Sequence, residues 1–491
     1  MIGLAVLAAM VLLIGAAAAS AATSTLYSFT GGADGGSATT APVDGGDGLL
    51  YGVTPIGGVA GAATPDGAGT IYSLDAFGGV ATLHTFDRMN GERPTGLTRA
   101  ADGWFYGTTS HGGDPDPASY TGGQGTLFRW NPVAGLEVLH RFWPLHGSWP
   151  SAAPTLGADG AWYGSSRYDS THPNYGTLWR WTPGGGLEVI KDFGGIDGNS
   201  PLGPLTRASD GYLYGTTNGG GMWGCGTIFR IAPYTGAHEM LAEFNFSNGC
   251  NPRGGVAQAS DGSFYGTTEK GGYGTVFRFD LATRSITTLH TMDAYGTTGA
   301  RPVGPLFPAA DGYVYGTTPR GGATGHGVVF RVDPATGNLQ VVHDFRGTDG
   351  QGATGGLAQS TNGLLYGTTP VGGAFGRGVI YTLDASGVPA PQPPVADAAL
   401  SALLVEPSTV RGGTSATVTV VLTAAAPAGG AHVALSRSSN SVSIPASVTV
   451  PKGTNQVRFT IATKRVKATT FVNITGSYNG VSKTGTLTLT K

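Results

Sequence analysis

The sequence predicts an all-β protein: a seven-bladed β-propeller closed by an N-terminal strand, followed by an immunoglobulin-like β-sandwich. Three observations predict it. The phrase DGxxYGTT recurs with its tyrosine at Tyr51, Tyr106, Tyr163, Tyr214, Tyr265, Tyr315 and Tyr366, at the spacing of propeller blades. Glycine fills 85 of 491 positions and only 12% of residues are charged, which suits turn-dense β structure, because glycine supplies turn backbone angles and weakens helix interiors. After residue 399 the texture changes to alternating polar and apolar segments such as SATVTVVL and QVRFTIAT, separated by PKG and NG turns.

Taken in chain order, the apolar run Ile2–Ala18 is followed by AAAASAAT, which suits cleavage after Ala21 or Ala22. Residues 1–22 are therefore expected to be a secretory signal peptide. An uncleaved membrane anchor is the alternative, since no Lys or Arg precedes Arg88. The propeller is expected over 23–387. Repeat four shows its frame: PLTRA (204–208), a DG turn, YLYGTT, a Gly-rich loop, CGTIFRI, a proline-containing turn and HEMLAEF. Four strand-length segments bounded by Gly, Pro or Asp-Gly make a four-stranded antiparallel meander, which buries its two faces only by packing on its neighbours.

The GTxF and LHxF segments each occur seven times, but the second series is shifted. LYSF (26–29) precedes the first DG turn, and the last repeat stops at GVIYTLDASG. The N-terminal segment is thus predicted to supply the outer strand of the last blade and cover its edge. Asp-Gly is expected to form the first turn of each unit, with the tyrosine packed between blades. Arg129, Arg180, Arg230, Arg278 and Arg331 are expected to pair with turn aspartates or carbonyls.

This frame, DGxxYGTTxxGG followed by GTxFR and LHxF, resembles the GloVer (Gloeo-Verruco) tandem repeat of bacterial exported proteins over residues 24–387. The resemblance implies a secreted or cell-surface location and no defined biochemical activity. Both cysteines of the chain, Cys225 and Cys250, fall in loops expected on one face of repeat four, so they are predicted to form a disulfide.

A proline-rich linker is expected over 388–399 and the immunoglobulin-like domain over 400–491, which carries nine Lys or Arg against the single acid Glu406. That leaves +8 on this part and −10 on the rest. The basic part is a candidate for contact with an anionic envelope, with plain solubility as the alternative. The acidic remainder disfavours nucleic acid.

Function is expected where the repeat is broken. The breaks at 110–125, 142–150 and 165–176 bring Trp143, His146, Trp149, Arg167, Tyr168, Asp169 and His172 toward one sector of the loop face. Aromatic rings with a few polar groups suit a glycan or a surface-protein ligand. The alternative is a polysaccharide lyase or glycosidase using Arg167, Asp169 and His172. His84, His140, His290 and His343 occupy the repeated LHxF position and read as strand residues. Asp114 and Asp116 offer too few oxygens for calcium, and no zinc spacing, P-loop or dinucleotide fingerprint occurs, so neither metal nor cofactor is expected.

Overall fold

The computed structural model describes residues 22–58, 66–114, 123–143, 146–168, 175–293, 296–384, 399–423, 426, 430–452, 454–478 and 481–491. The expected signal peptide and nearly all of the expected linker lie outside them. The named elements are all β-strands, and the chain divides into two compact units, Met1–Pro391 and Gln392–Lys491.

The first unit is a set of seven small antiparallel sheets, an arrangement that fits a β-propeller. In repeat four the sheet order is Thr206–Arg207, Leu213–Thr216, Thr227–Ile231, His238–Glu243. In the third sheet the inner edge is split into Ser148–Pro150 and Thr155–Leu156, both paired with Trp162–Tyr168. The last sheet is built of Ala22–Ser28, Val379–Asp384, Leu365–Thr369 and Ala358–Gln359, so the N-terminal strand does take the outer place beside the last repeat.

Each letter of the repeated phrase has a local cause. The Asp Oδ1 accepts the N–H two residues on, as in Asp210 with Tyr212 and Asp311 with Tyr313 (3.0 Å each), which fixes the turn. Its Oδ2 accepts the tyrosine hydroxyl four residues on: 2.6 Å for Asp47–Tyr51, 2.7 Å for Asp210–Tyr214 and 2.6 Å for Asp311–Tyr315. The tyrosine ring meets the next sheet, Tyr106 stacking on Trp162 at 4.0 Å and Tyr214 lying 4.3 Å from Phe264. Burial and the neighbouring carboxylate push the Tyr51 hydroxyl up to about 12, so it stays a donor. The following glycine lies beneath the third-strand aromatic. A Cβ on Gly215 would stand 2.5 Å from the Phe229 ring and 2.8 Å from Leu205, so only glycine fits.

The two threonines divide the remaining labour. The first reaches into the next sheet: Thr108 donates to the Ala152 carbonyl (2.9 Å), Thr216 to Pro252 (3.0 Å), Thr317 to Gly355 (2.8 Å) and Thr368 to Thr40 (3.0 Å). That last bond ties the final repeat back to the first. The second threonine is buried against its counterpart in GTxF, at 2.8 Å for Thr54–Thr70 and 2.7 Å for Thr268–Thr275.

The arginines differ from expectation. Arg180 alone pairs with a turn aspartate, Asp159, at 2.9 Å. Arg129 and Arg230 instead reach Glu137 and Glu239 on the fourth strand (2.6 Å each), and Arg331 reaches Gln340. Their guanidiniums also lie over Trp104, Tyr212 and Tyr313, at 4.3, 4.4 and 3.8 Å. Those rings stand two residues after the turn aspartate; in repeat three that position is Ala161, and Arg180 bonds Asp159 although the Tyr163 hydroxyl donates to the same Oδ2 (2.8 Å), while in repeat five it is Ser263, which accepts from Arg278 at 2.9 Å.

The second unit has two sheets. One runs Leu400–Glu406, Ser415–Leu422, Gln456–Thr463, Val442–Ser443; the other runs Thr409–Arg411, Val481–Thr490, Thr470–Tyr478, Ala431–Arg437, Ser447–Val450. Their inward residues, among them Leu403, Val418, Val433, Ile461, Ile474 and Leu487, form one buried core of Leu, Val, Ile and Ala. The alternation read from the sequence is what segregates these side chains from the polar ones.

Candidate functional site

A cavity of about 670 Å³ opens in the first unit. Its wall takes the residue at the start of the inner segment of every repeat: Thr39, Thr95, Ser151, Leu202, Arg253, Val303 and Thr354. One residue from each of seven sheets places the cavity on the axis about which they are arranged. Pro55 and Ser110, at the ends of second strands, also line it, so it opens toward the loops between second and third strands. The charged lining side chains are Arg93 and Arg253, the latter 3.3 Å from Glu269.

Two residues before each of these seven lining residues the backbone is left-handed: Ser37 (φ 57°), Arg93 (56°), Trp149 (60°), Ser200 (51°), Asn251 (62°), Arg301 (53°) and Gly352 (71°). The cause is a bond repeated in all seven. Each N–H donates to a carbonyl in the loop before the preceding third strand, for instance Arg93 to Ala68 (2.8 Å), Trp149 to Gln124 (3.0 Å) and Arg301 to Tyr273 (2.6 Å). Glycine takes this conformation without cost, and Gly352 shows that it serves. Six repeats keep a side chain there at about 1–2 kcal/mol apiece for those that lack a short polar group to compensate.

Trp149 is the largest of the six, and it sits in a cluster. Its ring lies 4.5 Å from His111 and meets Tyr168 edge-on at 5.2 Å, while the Arg167 guanidinium is 5.4 Å from the Tyr168 ring. Ser110 shares a 2.9 Å bond with His111 Nδ1 and donates to the Arg93 carbonyl at 3.3 Å. Burial, helped by the Arg93 charge, pushes the His111 imidazole below its ordinary value, so it is neutral at pH 7. Arg93 and Arg167 are exposed, and Trp149 and Tyr168 are half-buried. The result is a neutral aromatic wall with two guanidiniums beside it.

The structure thus brings together Trp149, Arg167 and Tyr168 from the seven expected residues. Trp143 is 50% exposed, and His146 turns to the outer strand, its Nδ1 3.2 Å from His140 Nε2. Burial and His146 hold His140 down at about 4. Asp169, His172 and Asp116 lie outside the described residues. His111 and Arg93 are additions, and the repeat frame carries their signal. His111 and Tyr168 both stand nine residues after the turn aspartate, and Arg93 occupies the backbone position of Trp149. The LHxF histidines behave as strand residues, packing edge-on against the phenylalanine two residues later, at 5.0 Å for His84–Phe86 and 4.8 Å for His343–Phe345. The predicted disulfide is present: Cys225 and Cys250 are bonded, with Cα atoms 4.4 Å apart.

The model of the Gloeobacter/Verrucomicrobia repeat matches residues 66–256 and 207–390. No curated protein matches. Among solved structures, the extracellular domain of a proposed one-component system of B. thetaiotaomicron is 10% identical with a TM-score of 0.40, covering 93% of this chain and 57% of that one. A proposed 6-phosphogluconolactonase of Bacteroides fragilis is 18% identical with a TM-score of 0.45, over 65% of this chain and 88% of that one. Puromycin hydrolase is 16% identical with a TM-score of 0.44, over 80% and 61%. The chain therefore spans little more than half of the first of these.

Proposed function

The chain belongs to the Gloeobacter/Verrucomicrobia repeat family, and from that premise we propose that it is a secreted or cell-surface binding protein whose first unit, a closed seven-bladed propeller, holds a glycan or surface-protein ligand at the mouth of its axial cavity. The second unit is an immunoglobulin-like module. The observation that carries this reading is Trp149, kept at φ 60° where another repeat uses glycine, with its ring set among His111, Tyr168 and Arg167. An indole and a phenol whose planes meet at 71° give a sugar ring or a peptide segment two apolar faces, and the guanidiniums supply directional donors. Threonine and serine hydroxyls continue the polar wall into the cavity. The disulfide supports an oxidising, exported location.

The test is retention of the full chain on a panel of immobilised glycans and envelope proteins, with Tyr168→Ala as the probe of the cluster. Retention without release of reducing or unsaturated sugar ends, weakened at least about tenfold by the substitution, supports the reading. Release of new ends by the wild-type chain would make it a lyase or glycosidase instead.

A further inference from the structure

The second unit gathers its positive charge at one end, and the hydrogen-bond register locates that end without ambiguity. Arg411 closes the strand Thr409–Arg411, which runs parallel to Val481–Thr490, and the Gly412 N–H donates to the Thr490 carbonyl at 2.8 Å. The turn that follows packs on the loop after Gln456–Thr463: a Cβ on Gly412 would lie 2.8 Å from the Lys464 carbonyl oxygen and 3.1 Å from the Arg465 Cα. Lys464 N–H in turn donates to the Ser441 carbonyl (2.8 Å), in the loop after Arg437, and Ser438 N–H donates to Asn473 (2.9 Å). Arg411, Arg437, Lys464, Arg465 and Lys467 therefore share one end of the sandwich. They are five of the nine basic residues of 400–491.

All five are exposed, and among the described residues none of them forms an ion pair. The module's one carboxylate side chain, Glu406, is paired with Thr417, two residues along the strand that starts at Ser415. Side chains that only kept the module soluble would be spread along it, as Arg458 and Lys483 are within strands and Lys452 is beyond the end of Ser447–Val450. Beside the cluster, at the start of Thr470–Tyr478, Phe471 is 68% exposed and presents a flat apolar ring to solvent. Like charges crowded on adjoining loops repel one another, a cost relieved when a multivalent anion lies across them.

We propose that this end of the second unit is a binding surface for an anionic polysaccharide, its carboxylate or sulfate groups spanning the five cations while a sugar ring rests on Phe471. The surface is separate from the ligand site proposed for the first unit and holds whether or not that site does. A polymer that carries an anion on successive sugars can engage cations carried on neighbouring loops, and an aromatic ring at the rim adds the apolar contact that a bare charge patch lacks.

The experiment measures binding of the full chain to immobilised polygalacturonate and dextran sulfate. The expected result is binding that weakens at least about tenfold between about 50 and 300 mM salt. The variant Lys464→Glu/Arg465→Glu/Lys467→Glu should lose at least about tenfold at low salt. The variant Lys452→Glu/Arg458→Glu/Lys483→Glu carries the same change in net charge and should stay within about threefold of wild type. The milder Lys464→Gln/Lys467→Gln keeps the comparison valid if charge reversal impairs folding, and Phe471→Ala should weaken binding without altering its salt dependence. Equal losses in the two triple variants would overturn the proposal in favour of net charge alone. It would also be overturned if vesicles rich in phosphatidylglycerol bound the wild-type chain while both polysaccharides did not. The Tyr168→Ala variant should bind these polymers as wild type does, which separates this surface from the first.

Discussion

The two units solve the same problem, burying sheets without helices, with different chemistry. The first buries aromatic rings against glycines and seals the seams with polar pairs: its fully buried large side chains include Trp179, Tyr163, Tyr214, Tyr265 and Phe229, and most of the buried polar residues are its strand threonines. The second buries only Leu, Val, Ile and Ala at the heart of its core. A unit made of small sheets has little sequence for each interface, so it uses large rings and directional bonds that also fix register. A single sandwich packs one continuous core and can rely on area alone. The difference predicts where each unit is fragile.

The largest effect should come from the seam. Deleting Thr23–Thr30 removes the strand paired with Val379–Asp384 and bares that edge, so size-exclusion chromatography should show aggregation of the full chain. An unchanged monomer peak and melting curve would remove the closure argument. Next is the disulfide, which closes a loop with a sequence separation of 25 in the first unit and has no counterpart in the second. Its reduction should lower the stability of the first unit by about 3 kcal/mol and leave the sandwich unaffected. Mild reductant followed by calorimetry checks this.

Acid should weaken the first unit through its strand histidines. Burial depresses His84, His140, His238, His290 and His343, with His140 at about 4, and the Nε2 atoms of His84, His238 and His290 are buried without a hydrogen-bond partner among the described residues. A histidine whose folded value is depressed contributes its full stability above the unfolded value near 6.5 and loses it as pH falls through the folded value. The first unit should therefore melt progressively lower from about pH 6.5 to about 4, while the sandwich, whose one histidine is the exposed His432, should not follow. Parallel melting of both units across this window would contradict the assignment. The smallest effect is expected from Thr368→Val, which deletes the bond to the Thr40 carbonyl that joins last repeat to first, at about 1 kcal/mol.

Much of the fold was legible because repetition amplifies it. Seven copies of one phrase state the strand order, and the displaced LYSF states how the last sheet is completed. The roles inside the phrase were less legible. The sequence shows that Arg180 and Asp159 coexist, but not that Trp104 and Tyr212 lie under Arg129 and Arg230, which reach the fourth strand, whereas the equivalent Ala161 offers Arg180 no such ring. The left-handed ring was not legible at all, because its residues, Ser, Arg, Trp, Ser, Asn, Arg and Gly, share a backbone bond and no side-chain type. Trp149 and Tyr168 stood out as breaks in the pattern. His111 lies in the break at 110–125 as well, but nothing in the sequence singles it out there, since its importance depends on the Trp149 ring 4.5 Å away.

The most direct test of the account replaces Trp149 with glycine. If the indole is held there for a ligand, Trp149→Gly relieves the left-handed backbone while giving up only half-buried ring contacts, and the two effects nearly cancel. The account predicts a variant whose unfolding free energy stays within about 1 kcal/mol of wild type, and whose retention on the ligand identified from the panel is lost. A variant that is destabilised by several times that amount and still binds would show Trp149 to be a packing residue, and would remove the binding site from the mouth of the cavity.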